Sequence, residues 1–225
     1  MHFKRQLFYI FSLISTLFSA LSTNASESYK LLVFGDSLSA GYGLNTSDAF
    51  PAQLQQALVR DGYTQVIVDN DSKSGETTTG GLKRIDKALQ TKPNAIIIEL
   101  GVNDVIRGES IETIKNNLER MIEKCQQQNV AVLLAGMIAP PITEPYYAKQ
   151  FANIYPELGK KYNITVYPFF MKGIFGGMKY KILASARYLQ PDQAHPKKEG
   201  ISLMVKDFMP TLKKFLKQLS IYPQD

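Results

Sequence analysis

One cysteine, two histidines and no tryptophan are a short supply for a chain of 225 residues, and each shortage closes off a chemistry. Cys125 stands alone, so no intramolecular disulfide braces the fold, and the chain must be held by its core; its place in an amphipathic helical pattern reads as packing. One cysteine and one distant histidine make a poor metal site. The glycine-rich stretches Gly41-Tyr-Gly43 and Gly80-Gly81 lack the Lys-Ser/Thr of a phosphate loop and the spacing of a dinucleotide site, so neither a metal nor an organic cofactor is expected. No cluster of basic and aromatic residues recurs, which sets nucleic acid aside as a partner.

Long apolar runs are also missing, except one. His2, Lys4 and Arg5 precede an uncharged, mostly apolar stretch from Leu7 to Leu21, and Thr23-Asn24-Ala25 offers small residues for cleavage. This pattern reads as a Sec signal peptide over residues 1–25, which implies a periplasmic or secreted product. The alternative is an uncleaved anchor, but the run has about 15 residues against roughly 20 needed to span a bilayer. Residues 26–225 then fit a single domain, with no linker or repeat, and a monomer is expected. The formal charge of +6 falls to +4 without Lys4 and Arg5. Lys197, Lys198, Lys206, Lys213, Lys214 and Lys217 carry much of that surplus on a C-terminal amphipathic helix. They form either a solvated face or a peripheral contact with an anionic membrane surface.

Short apolar runs recur at Leu31 to Phe34, Val66 to Val68, Ala95 to Leu100, Val130 to Met137 and Ile164 to Tyr167. Helical patterns lie between and after them, at Ala52 to Arg60, Thr78 to Gln90, Ile111 to Gln128, Tyr147 to Lys161 and Lys198 to Leu219. Such alternation predicts an α/β fold with a parallel sheet covered on both faces. Phe169 to Gln190 has no clear period and carries Gly173, Gly176 and Gly177; it is expected to form a mobile wall or lid.

Ligands in such sheets bind beyond the carboxyl ends of the strands, and three candidate residues follow strands there: Ser37, Gly75 and Asn103. With the leader gone, His195 is the only imidazole left, three residues after Asp192 in a turn that ends at Pro196. That spacing lets the Asp192 carboxylate curl back to Nδ1 and leaves Nε2 for Ser37, the arrangement a serine needs to become a nucleophile. The backbone N–H groups of Ser37 and Gly75 and the amide of Asn103 are available donors for an oxyanion. Each residue also has a plainer reading. Asp36-Ser37 and Asn103-Asp104 could be turns or caps, Gly75 could supply a positive φ, and His195 could be a surface histidine.

In order along the chain, Gly35-Asp-Ser-Leu-Ser-Ala-Gly-Tyr-Gly-Leu44, Asn70-Asp-Ser-Lys-Ser-Gly75-Glu-Thr-Thr, Glu99-Leu-Gly-Val-Asn103-Asp-Val-Ile-Arg-Gly108 and Asp192-Gln-Ala-His195-Pro resemble the four blocks of the GDSL or SGNH hydrolases. The likeness is greatest to the periplasmic arylesterase, thioesterase I and lysophospholipase branch. It implies a three-layer α/β/α flavodoxin-like sandwich on a five-stranded parallel sheet. Ser37, Asp192 and His195 would be the triad, and Ser37, Gly75 and Asn103 the oxyanion hole. The expected substrate is an acyl-lipid or aryl ester or thioester. The alternatives are carbohydrate O-deacetylation and a non-catalytic periplasmic binding protein. Val102 stands where that branch usually has Gly or Ala. Ile142, Thr143 and Glu144 replace the Asn-Tyr-Gly of its Pro-Pro loop. Val102, Ile142, Tyr146 and Phe175 are therefore candidate substrate contacts particular to this chain.

Overall fold

The five apolar runs form one all-parallel sheet in a computed structural model that describes residues 28–176 and 181–224. The strands are β1 (Tyr29–Gly35), β2 (Val66–Asn70), β3 (Ala95–Glu99), β4 (Ala131–Ala135) and β5 (Thr165–Tyr167), in the order β2-β1-β3-β4-β5. Every residue of β3 is buried, as a central strand covered on both faces requires. The order reverses between β1 and β3, so their carboxyl ends open a crevice between loops that run in opposite directions. The expected leader, residues 1–25, lies outside the described residues.

The helices form because their apolar residues recur at helical spacing and their first turns are capped. In α5 (Ile111–Gln127), Ser110 Oγ accepts from Thr113 N–H at 3.0 Å, and Ile114, Leu118, Met121, Ile122 and Cys125 form the buried stripe. Burial pushes the Cys125 thiol up to about 12, which suits a packing role. Thr77 caps α3 (Thr78–Leu89) through Gly80 N–H. Helix α6 (Pro145–Tyr162) begins two residues before the expected Tyr147, because Pro145 suits the first turn and the Glu144 carboxylate accepts from Tyr146 and Tyr147 N–H. Helices α3, α5 and α6 pack side by side, while α2 (Phe50–Arg60) pairs with the last helix, α9 (Lys198–Gln218). The two groups cover opposite faces, as right-handed crossovers from β1 to β2 and β2 to β3 demand.

Two short helices are carried by loops at the carboxyl edge, α1 (Ser37–Ala40) and α4 (Val102–Ile106). Two more, α7 (Lys172–Phe175) and α8 (Lys181–Tyr188), correct the expectation that 169 to 190 lacks regular structure. One of the glycines that suggested a loop has another use. A Cβ on Gly173 would collide with the Leu203 carbonyl, so this residue lets α7 lie directly on α9.

An aromatic cluster joins that layer to the sheet. Phe208 of α9 meets Phe50 at 5.4 Å, Phe170 at 6.5 Å and Tyr167 at 4.7 Å between ring centroids, all in tilted or edge-on geometry. Phe208→Ala removes the common member of the cluster, and we expect urea unfolding to show a loss of about 3–5 kcal/mol.

Candidate active site

Chain separation is the first thing the site must overcome, since Ser37 and His195 lie 158 positions apart. Ser37 opens α1 just past β1, where Asp36 is the N-cap and its Oδ1 accepts from Leu38 N–H at 2.9 Å. His195 sits in a turn before α9. Asp192 Oδ1 accepts from the N–H groups of Ala194 and His195, both at 3.0 Å, which folds the carboxylate back over the turn. Its Oδ2 then reaches His195 Nδ1 at 2.7 Å, and His195 Nε2 stands 2.8 Å from Ser37 Oγ. With a carboxylate accepting at Nδ1, the imidazole proton belongs there, so Nε2 is the acceptor to which the Ser37 hydroxyl donates. Desolvation opposes ionisation of Asp192, but the two backbone N–H bonds and the imidazole outweigh it and hold the carboxyl down at about 2.

Gln190 fastens this turn to the serine loop. Its backbone N–H donates to the His195 carbonyl at 2.7 Å, and its side-chain amide donates to the carbonyls of Tyr42 (2.7 Å) and Pro196 (3.0 Å). The Tyr42 ring lies over the imidazole, centroid to centroid 4.5 Å at 39°. Neither residue stands out in the sequence as a partner of His195, although a lone aromatic between two glycines in a loop, Gly41-Tyr42-Gly43, is the signal that was there to read.

Gly75 occupies the left-handed region at φ +75, where its Cβ would strain the backbone. Its carbonyl accepts from Arg107 at 2.9 Å, while its N–H and that of Ser37 donate to nothing among the described residues. Asn103 lies in α4 beyond β3, across the switch-point crevice from Ser37. Its Nδ2 donates to Asp36 Oδ2 and to the Glu76 carbonyl, both at 3.0 Å. The amide is therefore oriented but engaged, and an incoming oxyanion has to share one of these hydrogens. Behind it, Asp104 is buried and accepts from the Thr78 N–H and hydroxyl, which ties α4 to the start of α3. Burial raises the Asp104 carboxyl despite those bonds.

Of the candidate substrate contacts, Val102 is half-buried at the start of α4. Ile142 and Tyr146 stand out from the loop and helix after β4, 97% and 69% exposed. Ile106 and Ile138 are exposed on the same carboxyl edge. Phe175 stacks on Phe169 in α7, and no hydrogen bond or ring contact among the described residues joins it to Ser37 or His195. No group of three or more His, Cys, Asp or Glu among the described residues is arranged to hold a metal. Asp36, read from the sequence only as a turn or cap, is that cap and also holds Asn103, while Glu99 carries no expectation of a role at the site. A glutamate ending the apolar run Ala95 to Leu100 is the visible clue, because a charge in a buried strand needs a reason.

Comparison with known proteins gives a consistent set of similarities. The profile of the GDSL-like lipase/acylhydrolase family matches residues 33–202. The chain is 36% identical to esterase TesA of Pseudomonas aeruginosa, over 87% of this chain and 94% of that one. It is 31% identical to thioesterase 1/protease 1/lysophospholipase L1 of Escherichia coli K12, over 80% and 81%. Among solved structures, the psychrotrophic esterase EstA of a Pseudoalteromonas species, inhibited by monoethylphosphonate, superposes with a TM-score of 0.76 at 30% identity, covering 84% of this chain and all of that one.

The geometry generates two predictions. A fluorophosphonate probe should leave one adduct, on Ser37 by peptide mapping, and His195→Ala should abolish it; an adduct that survives His195→Ala would refute activation by that imidazole. Because Asp192 stays ionised down to about 2, its own titration does not enter the acid limb of kcat/KM. Activity should rise with pH across about 5 to 8, where an imidazole ordinarily loses its proton, and a flat profile would remove His195 from the role of base.

Proposed function

Because the chain belongs to the GDSL-like lipase/acylhydrolase family, we propose that it hydrolyses carboxylic esters and thioesters of acyl lipids or aryl alcohols through an acyl-enzyme on Ser37. The 2.8 Å contact between Ser37 Oγ and His195 Nε2, with Asp192 on the far nitrogen, carries the proposal. His195 takes the hydroxyl proton as Ser37 Oγ attacks the carbonyl carbon, and Asp192 stabilises the imidazolium that results. The oxyanion then meets the N–H groups of Ser37 and Gly75 and the shared amide hydrogen of Asn103. Collapse expels the alcohol or thiol, which takes its proton from His195. Water, activated by the same imidazole, releases the acid and restores Ser37.

The exposed apolar side chains at the carboxyl edge, Ile106, Ile138, Ile142 and Tyr146, support a long acyl chain over an acetyl group. Val102, Ile142 and Tyr146 are proposed as its contacts. Phe175 is the fourth proposed contact, and its ring is stacked on Phe169. The protein is proposed to act as a monomer without metal or organic cofactor, exported by the Sec leader to the periplasm or beyond. Any contact with an anionic membrane surface would fall to α9. There Lys198 and Lys213 are already paired with Asp48 and Asp61 at 2.8 and 2.6 Å, which leaves Lys206, Lys214 and Lys217 as the cations to be tested.

Ser37→Ala should lower kcat by on the order of 10⁴-fold or more while the protein stays folded; wild-type turnover would leave the non-catalytic binding reading. A series of p-nitrophenyl esters from acetate to laurate should show kcat/KM sustained or rising beyond butyrate, since each methylene in an apolar groove adds affinity. A collapse beyond acetate would instead identify a carbohydrate O-deacetylase.

A further inference from the structure

Glu99 ends β3 with no exposed surface, directly across from Gly35 of β1. Its two oxygens have different surroundings. Oε2 accepts from Ser39 Oγ at 2.6 Å and from Asp36 N–H at 3.1 Å, whereas Oε1 is buried with no partner among the described residues. The Asp36 N–H on Glu99 Oε2, with Gly35 opposite Glu99 in the sheet, sets the two buried acids side by side. Two carboxylates have only acceptors to offer each other, so burying such a pair with one oxygen unpartnered calls for a proton. No cation substitutes for it, because the Arg84 guanidinium is committed to Glu76, Asp71 and the Gly35 carbonyl.

We infer that Glu99 is an un-ionised acid whose Oε1–H donates to the Asp36 carboxylate, and that through this proton it is a positioning residue for the Asn103 amide. The inference rests on the reading that Asn103 serves the oxyanion. Asp36 then has three donors, Leu38 N–H on Oδ1, Asn103 Nδ2 on Oδ2, and Glu99. Such a set is what a buried carboxylate needs to stay charged and fixed. Asp36 in turn orients both the amide of Asn103 and the first turn of α1, which carries Ser37. Gly35 makes the space, since a Cβ there would strike Glu99 Oε2 and Ser39 Oγ. Burial and the charge of Asp36 both push the Glu99 carboxyl well above its ordinary range, in the same direction.

The test compares kcat and KM on a short p-nitrophenyl ester for wild type, Glu99→Gln, Glu99→Met and Asn103→Ala, with Tm for each. Glutamine reproduces the arrangement, its Nε2 donating to Asp36 and its oxygen accepting from Ser39, so E99Q should keep kcat within about threefold. Methionine fills the space without a donor, so E99M should lose about tenfold or more in kcat with KM unchanged, as the loss of an interaction made only in the transition state predicts. If E99M fails to fold, E99Q and infrared spectroscopy carry the test. At about pH 8 the wild type should show the C=O stretch of an un-ionised carboxyl, and E99Q should lack it. An E99Q variant as impaired as N103A, or the absence of that band, would overturn the inference. N103A with wild-type kcat would instead overturn the oxyanion role beneath it.

Discussion

Two acids at the ends of adjacent strands, walled off from water, set the terms on which this sheet can close. Asp36 and Glu99 have no exposed surface, and among the described residues neither forms an ion pair. Everything near them supplies a donor or makes room: Ser39 Oγ, the N–H groups of Asp36 and Leu38, the Asn103 amide, and a glycine at position 35. Loops after β1 and β3 would otherwise be free to diverge, since they leave the sheet at the switch point in opposite directions. The shared polar centre fixes one against the other, so the nucleophile and the amide opposite it have a defined separation.

The histidine side of the site is attached by different means. No buried acid anchors the Asp192 to His195 turn among the described residues; it is held by backbone carbonyls captured by Gln190, an antiparallel bridge between the buried residues Leu189 and Pro196, and the face of Tyr42. Each such hydrogen bond contributes about 1 kcal/mol, so several small terms add up to fix this turn, whereas the Ser37 loop is fixed through two buried acids. On the proposed mechanism these two modes of attachment suit their residues, because the base would exchange a proton with serine, leaving group and water in turn while the serine stays in one place.

The strand and helix pattern was legible because it depends on local periodicity: all five strands and the five long helices follow from apolar spacing in the chain. The Ser37, His195 and Asp192 arrangement was legible for a different reason, scarcity, since with His2 assigned to an expected leader His195 beside Asp192 left few alternatives. Two things were hidden. The helices α7 and α8 looked like loop because Gly173 reads as a breaker, while in the fold it permits close contact with α9. The role of Glu99 depends on which residue of β1 faces it, and that register, Gly35 opposite Glu99, is a property of the folded sheet alone. The engagement of the Asn103 amide by Asp36 and Glu76 is likewise a matter of three loops meeting.

Burying acids also couples the fold to its surroundings. Desolvation raises the carboxyls of Asp36, Asp104 and Glu99. Groups raised on folding make the native state bind more protons than the unfolded chain, so their stabilisation is complete below their ordinary range, about pH 4, and drains away as pH rises through each raised value. On the proposed mechanism a protonated imidazole is no base, so mild acid would idle the catalyst while tightening the scaffold that positions it.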